Sequence, residues 1–286
     1  MARTAYENYT RLKSSAMYAA CVGCTVAILV ILALVTGYLV YLGARSLSWS
    51  FFTEIPSGNP AAPGGMKNGL VGTAVLLGLA SLVGIPLGIL TGVYLSEYDT
   101  RSWLATPVRF VSDVLAGVPS IVVGILGYEL LVVPLGNYNG WAGSLALAFI
   151  MVPIIARTTE EMLRLVPNSF REASLALGAS KARTIFRVVL PAAAGSTITG
   201  VMLAIARVAG ETAPLLFTAL GSRYLTVDPN HPFPSLTVQI FSYATGPYVE
   251  QRKLAWAGIL VLIGMIFVLN LGVRLIGRRF QAQAND

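Results

Sequence analysis

The run Ser169-Phe170-Arg171-Glu172-Ala173-Ser174-Leu175-Ala176-Leu177-Gly178 sits at the centre of a charged island, Arg157 to Pro191, between two uncharged runs of membrane-spanning length. From Arg157 to Arg187 the island carries six Lys/Arg and three Glu. Charge at that density does not dissolve in hydrocarbon, so the island is a loop with a structure of its own. Ser169 and Glu172 have capping-box spacing, which predicts a helix start at Ser169. Gly178 suits the left-handed residue just past a helix end. Ser180 can cap a second short helix, which Pro191 stops or kinks. Upstream, Thr158 or Thr159 ahead of Glu160-Glu161 predicts a further helix start, ended before Pro167. The product is helix, sharp turn, helix. Phe170, Leu175 and Phe186 sit among its basic residues, as in a hairpin that docks on a partner; an ordinary solvated loop is the alternative, and the loop's own residues do not choose.

Composition fixes the solvent. Of 286 residues 55% are hydrophobic and 12% charged, about half the charged share of soluble domains. The chain is therefore read as an all-α integral membrane protein. Its net charge of +7 then reports topology rather than nucleic-acid binding. Cys21 and Cys24 lie inside an uncharged run and read as small apolar filler, not as a redox or metal pair.

Six spans are expected. The first, within the uncharged run Ser14 to Ala44, exceeds the roughly 20 residues a crossing needs and stays as an anchor. The second runs from Asn68 to Ser96 with Pro86 inside it; Gly84, Gly88 and Gly92 lie on one face and predict a close helix contact. Glu97, Asp99, Arg101 and Arg109 mark a short polar loop. The third span, Asp113 to Leu135, holds Pro119 and Glu129, the latter near enough its end to reach the interface. An uncharged turn, Gly136 to Gly140, leads to the fourth, Trp141 to Ala156, short but extendable at both ends. The fifth is Ala192 to Leu220 and the sixth Leu254 to Val273. This gives a tail over 1–15 and one permease domain over 16–286, with a coupling loop at 157–191 and outer loops at 45–66 and 221–253. No regular structure is expected in the first outer loop. His231, the single histidine, has no second His or Cys beside it, so no metal site is expected.

Positive charge orients the chain. Fourteen Lys/Arg fall on the side of the termini and coupling loop and five on the other, with Arg207 inside a span. Both termini and the coupling loop are thus expected in the cytoplasm.

Arg207 demands a purpose, because a central Arg costs roughly 2.5–3.5 kcal/mol on the insertion scale. Glu211, four residues on, predicts either an intrahelical ion pair or an anion gate in which the guanidinium takes a tetrahedral oxyanion. Gly210 and Pro214 loosen the helix there, as in discontinuous transport helices.

Glu172-Ala173, Gly178 six residues after the Glu, and Leu190-Pro191 together resemble the EAA loop of ABC importer permeases. Ser174 stands where a second Ala is usual and Val188 where Ile is usual. Arg207-Val208-Ala209-Gly210-Glu211 is similar to the Arg-x-x-Gly-Glu segment of oxyanion permeases. The longer run to Leu220 resembles the PstA-type phosphate permeases. So do Pro119-Ser120-Ile121-Val122-Val123-Gly124, Arg157-Thr158-Thr159-Glu160, Leu165-Val166-Pro167 and Leu254-Ala255-Trp256-Ala257-Gly258. The likeness spans about Phe51 to the last helix. It implies a type I ABC importer permease of a bacterial inner membrane, substrate-binding roles for Arg207 and Glu211, and ATPase coupling through Ser169, Glu172, Ala173, Gly178, Leu190 and Pro191. The implied partners are a sister permease, an ATPase dimer and an extracytoplasmic phosphate-binding protein, besides membrane lipid. The implied cargo is phosphate, with sulfate, molybdate or an ATP-independent anion transporter as the other readings.

No cofactor is expected in this chain. It lacks G-x-x-x-x-G-K-[ST], H-E-x-x-H and G-x-S-x-G, so ATP belongs to the partner and hydrolase chemistry is not expected.

Overall fold

The computed structural model describes residues 2–98 and 103–283, and of 2–9, 12 and 273–283 the backbone alone. Asp99 and Arg101, and the side chains of Arg3, Arg274, Arg278 and Arg279, lie outside the described residues. The chain is helical, with two isolated bridges, Pro56 to Gly64 and Leu220 to Phe233.

The helices are α1 (Ala2–Ser46), α2 (Ser50–Thr53), α3 (Lys67–Glu97), α4 (Ala105–Gly117) and α5 (Ser120–Gly127). A π turn, Tyr128–Val132, joins α5 to α6 (Val133–Leu135), and α7 is Gly140–Arg164. The charged island gives α8 (Asn168–Ala176), α9 (Lys181–Thr184), a second π turn (Ile185–Val189) and α10 (Leu190–Ala192). There follow α11 (Ala194–Ala209), α12 (Ala213–Thr218), α13 (Leu236–Thr245) and α14 (Val249–Gln283). Four helices are long and apolar enough to cross a membrane, or six spans result if each of two bent pairs counts as one.

The scaffold is α3 against α7. A Cβ added to Gly88 would fall 2.6 Å from the Ile155 Cβ, and one on Gly92 2.6 Å from the Thr159 Cβ. Only a bare backbone permits that approach, so the expected glycine face is a packing face. Leu76, Leu147, Met151 and Ile155 are buried in the core between these helices, joined by Ala204 and Val208 of α11. A second cluster, Phe51, Met66, Leu236 and Leu254, lies at one end, and a third, Val93, Leu163, Ile185 and Val189, at the other. By contrast α1 meets the body near its C-terminal end, where Gly43 abuts Leu260 and Tyr38 stands edge-on to Trp256 at 5.8 Å. Apolar residues exposed along it, Cys21 and Cys24 among them, suit a lipid-facing helix.

Several boundaries differ from expectation. The fourth span does not end at Ala156, and no helix starts at Thr158 or Thr159. Instead α7 continues to Arg164, because Thr158 turns its hydroxyl back to the Ile154 carbonyl (2.9 Å) rather than capping. The coupling loop therefore begins with two turns of α7. The third span is bent by 107° between α4 and α5, where Val118 is extended (ψ 131°) ahead of Pro119. The fifth is bent by 74° between α10 and α11 and broken again after Ala209. Both outer loops contain helix, α2 in the first and α13 in the second, and the last span starts at Val249 rather than Leu254. Beyond α1 and α14, the second span agrees to one residue at each end. Glu129 lies exposed in the first π turn.

Candidate functional site

Two regions carry the residues singled out from sequence: the hairpin α8–α9 and the break after α11. In the hairpin the expected capping box is not formed. Pro167 (φ −58°, ψ 141°) leads into α8 without any side-chain cap, and its carbonyl accepts the Phe170 N–H at 3.2 Å. The helix thus begins at Asn168, which leaves Ser169 exposed inside the first turn and out of capping register with Glu172. The far end follows the sequence closely. Gly178 has φ +82°, its N–H reaches the Leu175 carbonyl (2.9 Å), and the Ala179 N–H reaches Ser174 (3.2 Å). Those two bonds make a Schellman stop. Ser180 then caps α9, its Oγ accepting the Arg183 N–H at 3.4 Å. Ser174, at the position where the EAA pattern has Ala, shares a hydrogen bond of 2.9 Å with the Thr184 hydroxyl and ties the two short helices together.

What fixes the hairpin to the spans is Arg171, a residue the sequence reading passed over. Its guanidinium meets the Glu97 carboxylate at the end of α3 (Nη2 to Oε1 2.6 Å) and donates to the Val166 (2.7 Å) and Leu163 (2.9 Å) carbonyls at the end of α7. The pair is mostly buried, with side chains 18% and 6% exposed. One side chain thereby joins α3, α7 and α8. Lys181 adds a contact over the Tyr98 ring, 4.2 Å from its centroid. Leu190 packs on the third apolar cluster beneath, and Pro191 is exposed at the start of α10. Beside the hairpin Glu160, itself buried, takes Arg109 and Arg164 at 2.8 Å each, while Arg157 pairs with Asp113 (2.5 Å) and Glu161 (3.3 Å). The hairpin also leaves apolar side chains open, Phe170, Leu175, Leu177 (89%) and Phe186, exposed together with Glu172, Ala173, Arg183 and Arg187.

The second region is the break. Arg207 stands in the last turn of α11, about 20 Å along that helix at 1.5 Å per residue, where the carbonyl end of the helix favours a cation. The helix then tightens, the Gly210 N–H bonding Arg207 (3.2 Å) and the Glu211 N–H bonding Val208 (3.0 Å), and ends. Thr237 of α13 donates to the freed Glu211 carbonyl at 2.9 Å. This is the discontinuity that Gly210 and Pro214 announce. The expected Arg207–Glu211 ion pair, however, is not formed: with the helix ended at Ala209, Glu211 leaves the four-residue register that would bring it over Arg207. Among the described residues Arg207 makes no ion pair at all. It is exposed in this chain, in line with Ser196, Thr199 and Leu203 at spacings of three and four residues. A stripe holding Ser, Thr and Arg is poorly matched to lipid and suits protein or water. That stripe was legible in the sequence and was missed.

The break is held from one side by α5. A Cβ on Gly124 would lie 2.9 Å from Pro214 Cα, so α12 rests directly on that backbone. Gly124 ends the Pro119–Gly124 motif, whose role in the fold is this contact.

The family model for binding-protein-dependent transport system inner membrane components matches residues 84–282. The phosphate transport system permease protein PstA of Yersinia pestis is 45% identical over 234 residues, covering 82% of this chain and 79% of that one. PstA of Haemophilus influenzae is 42% identical over 250 residues (82% and 89%), and a probable PstA of Methanocaldococcus jannaschii 35% over 212 (74% and 75%). Among solved structures, the inward-facing MetNI methionine ABC transporter superposes with a TM-score of 0.62 at 18% identity, over 75% of this chain and 95% of that one. That likeness bears on the fold alone, and it agrees with the helical, bent-span architecture described above. The chain belongs to the family of binding-protein-dependent transport system inner membrane components.

Proposed function

We propose that this chain is the membrane-spanning permease subunit of an ATP-driven importer of inorganic phosphate, in a bacterial cytoplasmic membrane. The observation that carries the substrate is the identity of 45% and 42% to relatives named as phosphate transport permeases, over most of both chains. The observation that carries the mechanism is Arg207, a cation without a counter-ion among the described residues, at the end of a broken helix. A guanidinium offers two parallel N–H donors to a tetrahedral oxyanion, replacing part of the hydration that phosphate loses on entering the membrane. Glu211 supplies a competing carboxylate, reached only when the 210–212 segment turns, so that the empty gate returns toward neutrality.

The open part of the hairpin, Phe170 to Leu177, is the surface on which a separate ATPase docks, with Glu172 and Ala173 at its centre and Gly178 and Ser180 fixing its shape. Arg171 then passes a push on the hairpin to the ends of α3 and α7. On this reading both termini and the hairpin are cytoplasmic, a sister permease faces the Arg207 stripe, and a binding protein delivers phosphate to the other side. ATP is bound and hydrolysed by the partner, not by this chain.

The test is ATP-dependent uptake by the reconstituted complex with phosphate as label and sulfate and molybdate as competitors. Phosphate alone should compete. Equal competition by sulfate would replace phosphate as the cargo, and uptake without the ATPase would replace the ATP-driven reading.

A further inference from the structure

We propose a second oxyanion site in this chain, at the end away from the hairpin, where phosphate is received before it reaches Arg207; the proposal rests on the phosphate-import reading above. A cavity of about 200 Å³ lies between α13 and the segment leaving α12. Its polar walls are Ser222, Arg223, Ser235, Gln239, Ser242 and Tyr243. Every one of these side chains can donate a hydrogen bond and no carboxylate lines the space, which fits an anion rather than a cation. Arg223 is exposed and without a counter-ion among the described residues, like Arg207 and unlike Arg109, Arg157, Arg164 and Arg171.

Two further observations point to an occupant. The Gln239 amide is buried beside the Tyr243 hydroxyl and its Nε2, a donor that an anion can take, completes no hydrogen bond of good geometry, while its Oε1 lies against Gly69 of α3. The backbone entering the site is also held in a conformation that a leucine rarely adopts: Leu220 has φ +61°, followed by Gly221 at +92°. Strain of this kind persists where surrounding contacts impose it and gathers at binding sites. Here the contacts are the Phe233 N–H on the Ala219 carbonyl (3.0 Å) and Asn68 Nδ2 on the Ser222 carbonyl (2.7 Å), which aim Ser222 and Arg223 at the cavity.

The position suits delivery. Asn68 lies in the first turn of α3, whose other end, Glu97, holds the hairpin; at 1.5 Å per residue the two lie about 44 Å apart. The site is also mechanically joined to the break, since Gln239 lies two residues beyond Thr237, the residue bonded to the Glu211 carbonyl. Filling the cavity and moving the break are thus events on one ten-residue helix.

The experiment uses the full complex, with inorganic phosphate as the probe. In the absence of the binding protein, ³¹P line broadening of phosphate should be produced by the wild type and by Arg207→Gln, and lost when Arg223→Gln or Gln239→Leu is added to Arg207→Gln. With the binding protein present, Arg223→Gln should raise the half-saturating concentration for uptake about tenfold, the scale of one charge-assisted bond. Ser242→Ala, a milder change, should shift it in the same direction by less. Broadening undiminished when Arg223→Gln is added to Arg207→Gln would overturn the site, and so would an equal loss of docking by phosphate-free binding protein, which would make Arg223 a protein contact instead. A wild-type complex that moves no phosphate would sink the transport reading alone, because the broadening measurement needs no transport.

Discussion

The arginines that join the hairpin to the spans and the arginine at the break live under opposite rules. Where the hairpin meets the spans Arg109, Arg157, Arg164 and Arg171 each face a carboxylate, Arg171 and Glu97 with little access to water, whereas Arg183 and Arg187 on its outer part are exposed without an ion pair among the described residues. At the break Arg207 faces none among the described residues, although Glu211 is four residues away in sequence. Pairing makes a cation a structural joint, since its donors are already spent. A cation left unpaired in an apolar setting holds its donors for something that arrives. The difference separates the part of this molecule that transmits force from the part that meets cargo.

The sharpest way to break that comparison is to unpair a joint. Arg171→Ala leaves Glu97 buried without its partner, which costs about 3–5 kcal/mol. The hairpin should then come loose from α3 and α7, read as faster proteolysis within 165–191 and loss of ATPase in a pull-down; a stable, ATPase-binding Arg171→Ala complex would mean the joint transmits nothing. A smaller effect is expected at the turn. Gly178→Val forces a branched side chain into the left-handed region at about 1–2 kcal/mol, and should weaken ATPase association while the spans stay folded. Unchanged association would remove the turn from the docking surface. Smaller again is Ser174→Ala, which removes one partly buried hydroxyl bond worth about 1 kcal/mol. It restores the residue usual in the EAA pattern and should lower thermal stability slightly without reducing uptake; a large fall in uptake would place Ser174 in coupling itself.

Much of the hairpin could be read in advance because its signals are local. Gly178 and Ser180 act within three residues of themselves, and the charges at Lys67 and Glu97 bound α3. Proline was less informative. Pro86 and Pro153 sit inside continuous helices, whereas Pro119 marks a 107° bend, and what distinguishes it is the contact of Gly124 with Pro214, ninety residues downstream. The capping box failed because Pro167 took the entry position, and the fourth span ran on because charge does not end a helix. Arg171 and Glu97 are 74 residues apart, so no spacing rule joins them before the fold does. The Arg207–Glu211 pair is the instructive miss: its spacing assumed a helix that the neighbouring Gly210 and Pro214 had already interrupted.

The most direct test of the division between paired and unpaired arginines is ATP-driven phosphate uptake by the intact complex carrying Arg207→Gln, measured beside its assembly and its ATPase activity. The account predicts that uptake falls by about a hundredfold or more, the equivalent of losing a bidentate charged contact, while the complex assembles as before. Normal uptake, or a complex that fails to assemble, would mean that Arg207 is another joint and the comparison is wrong.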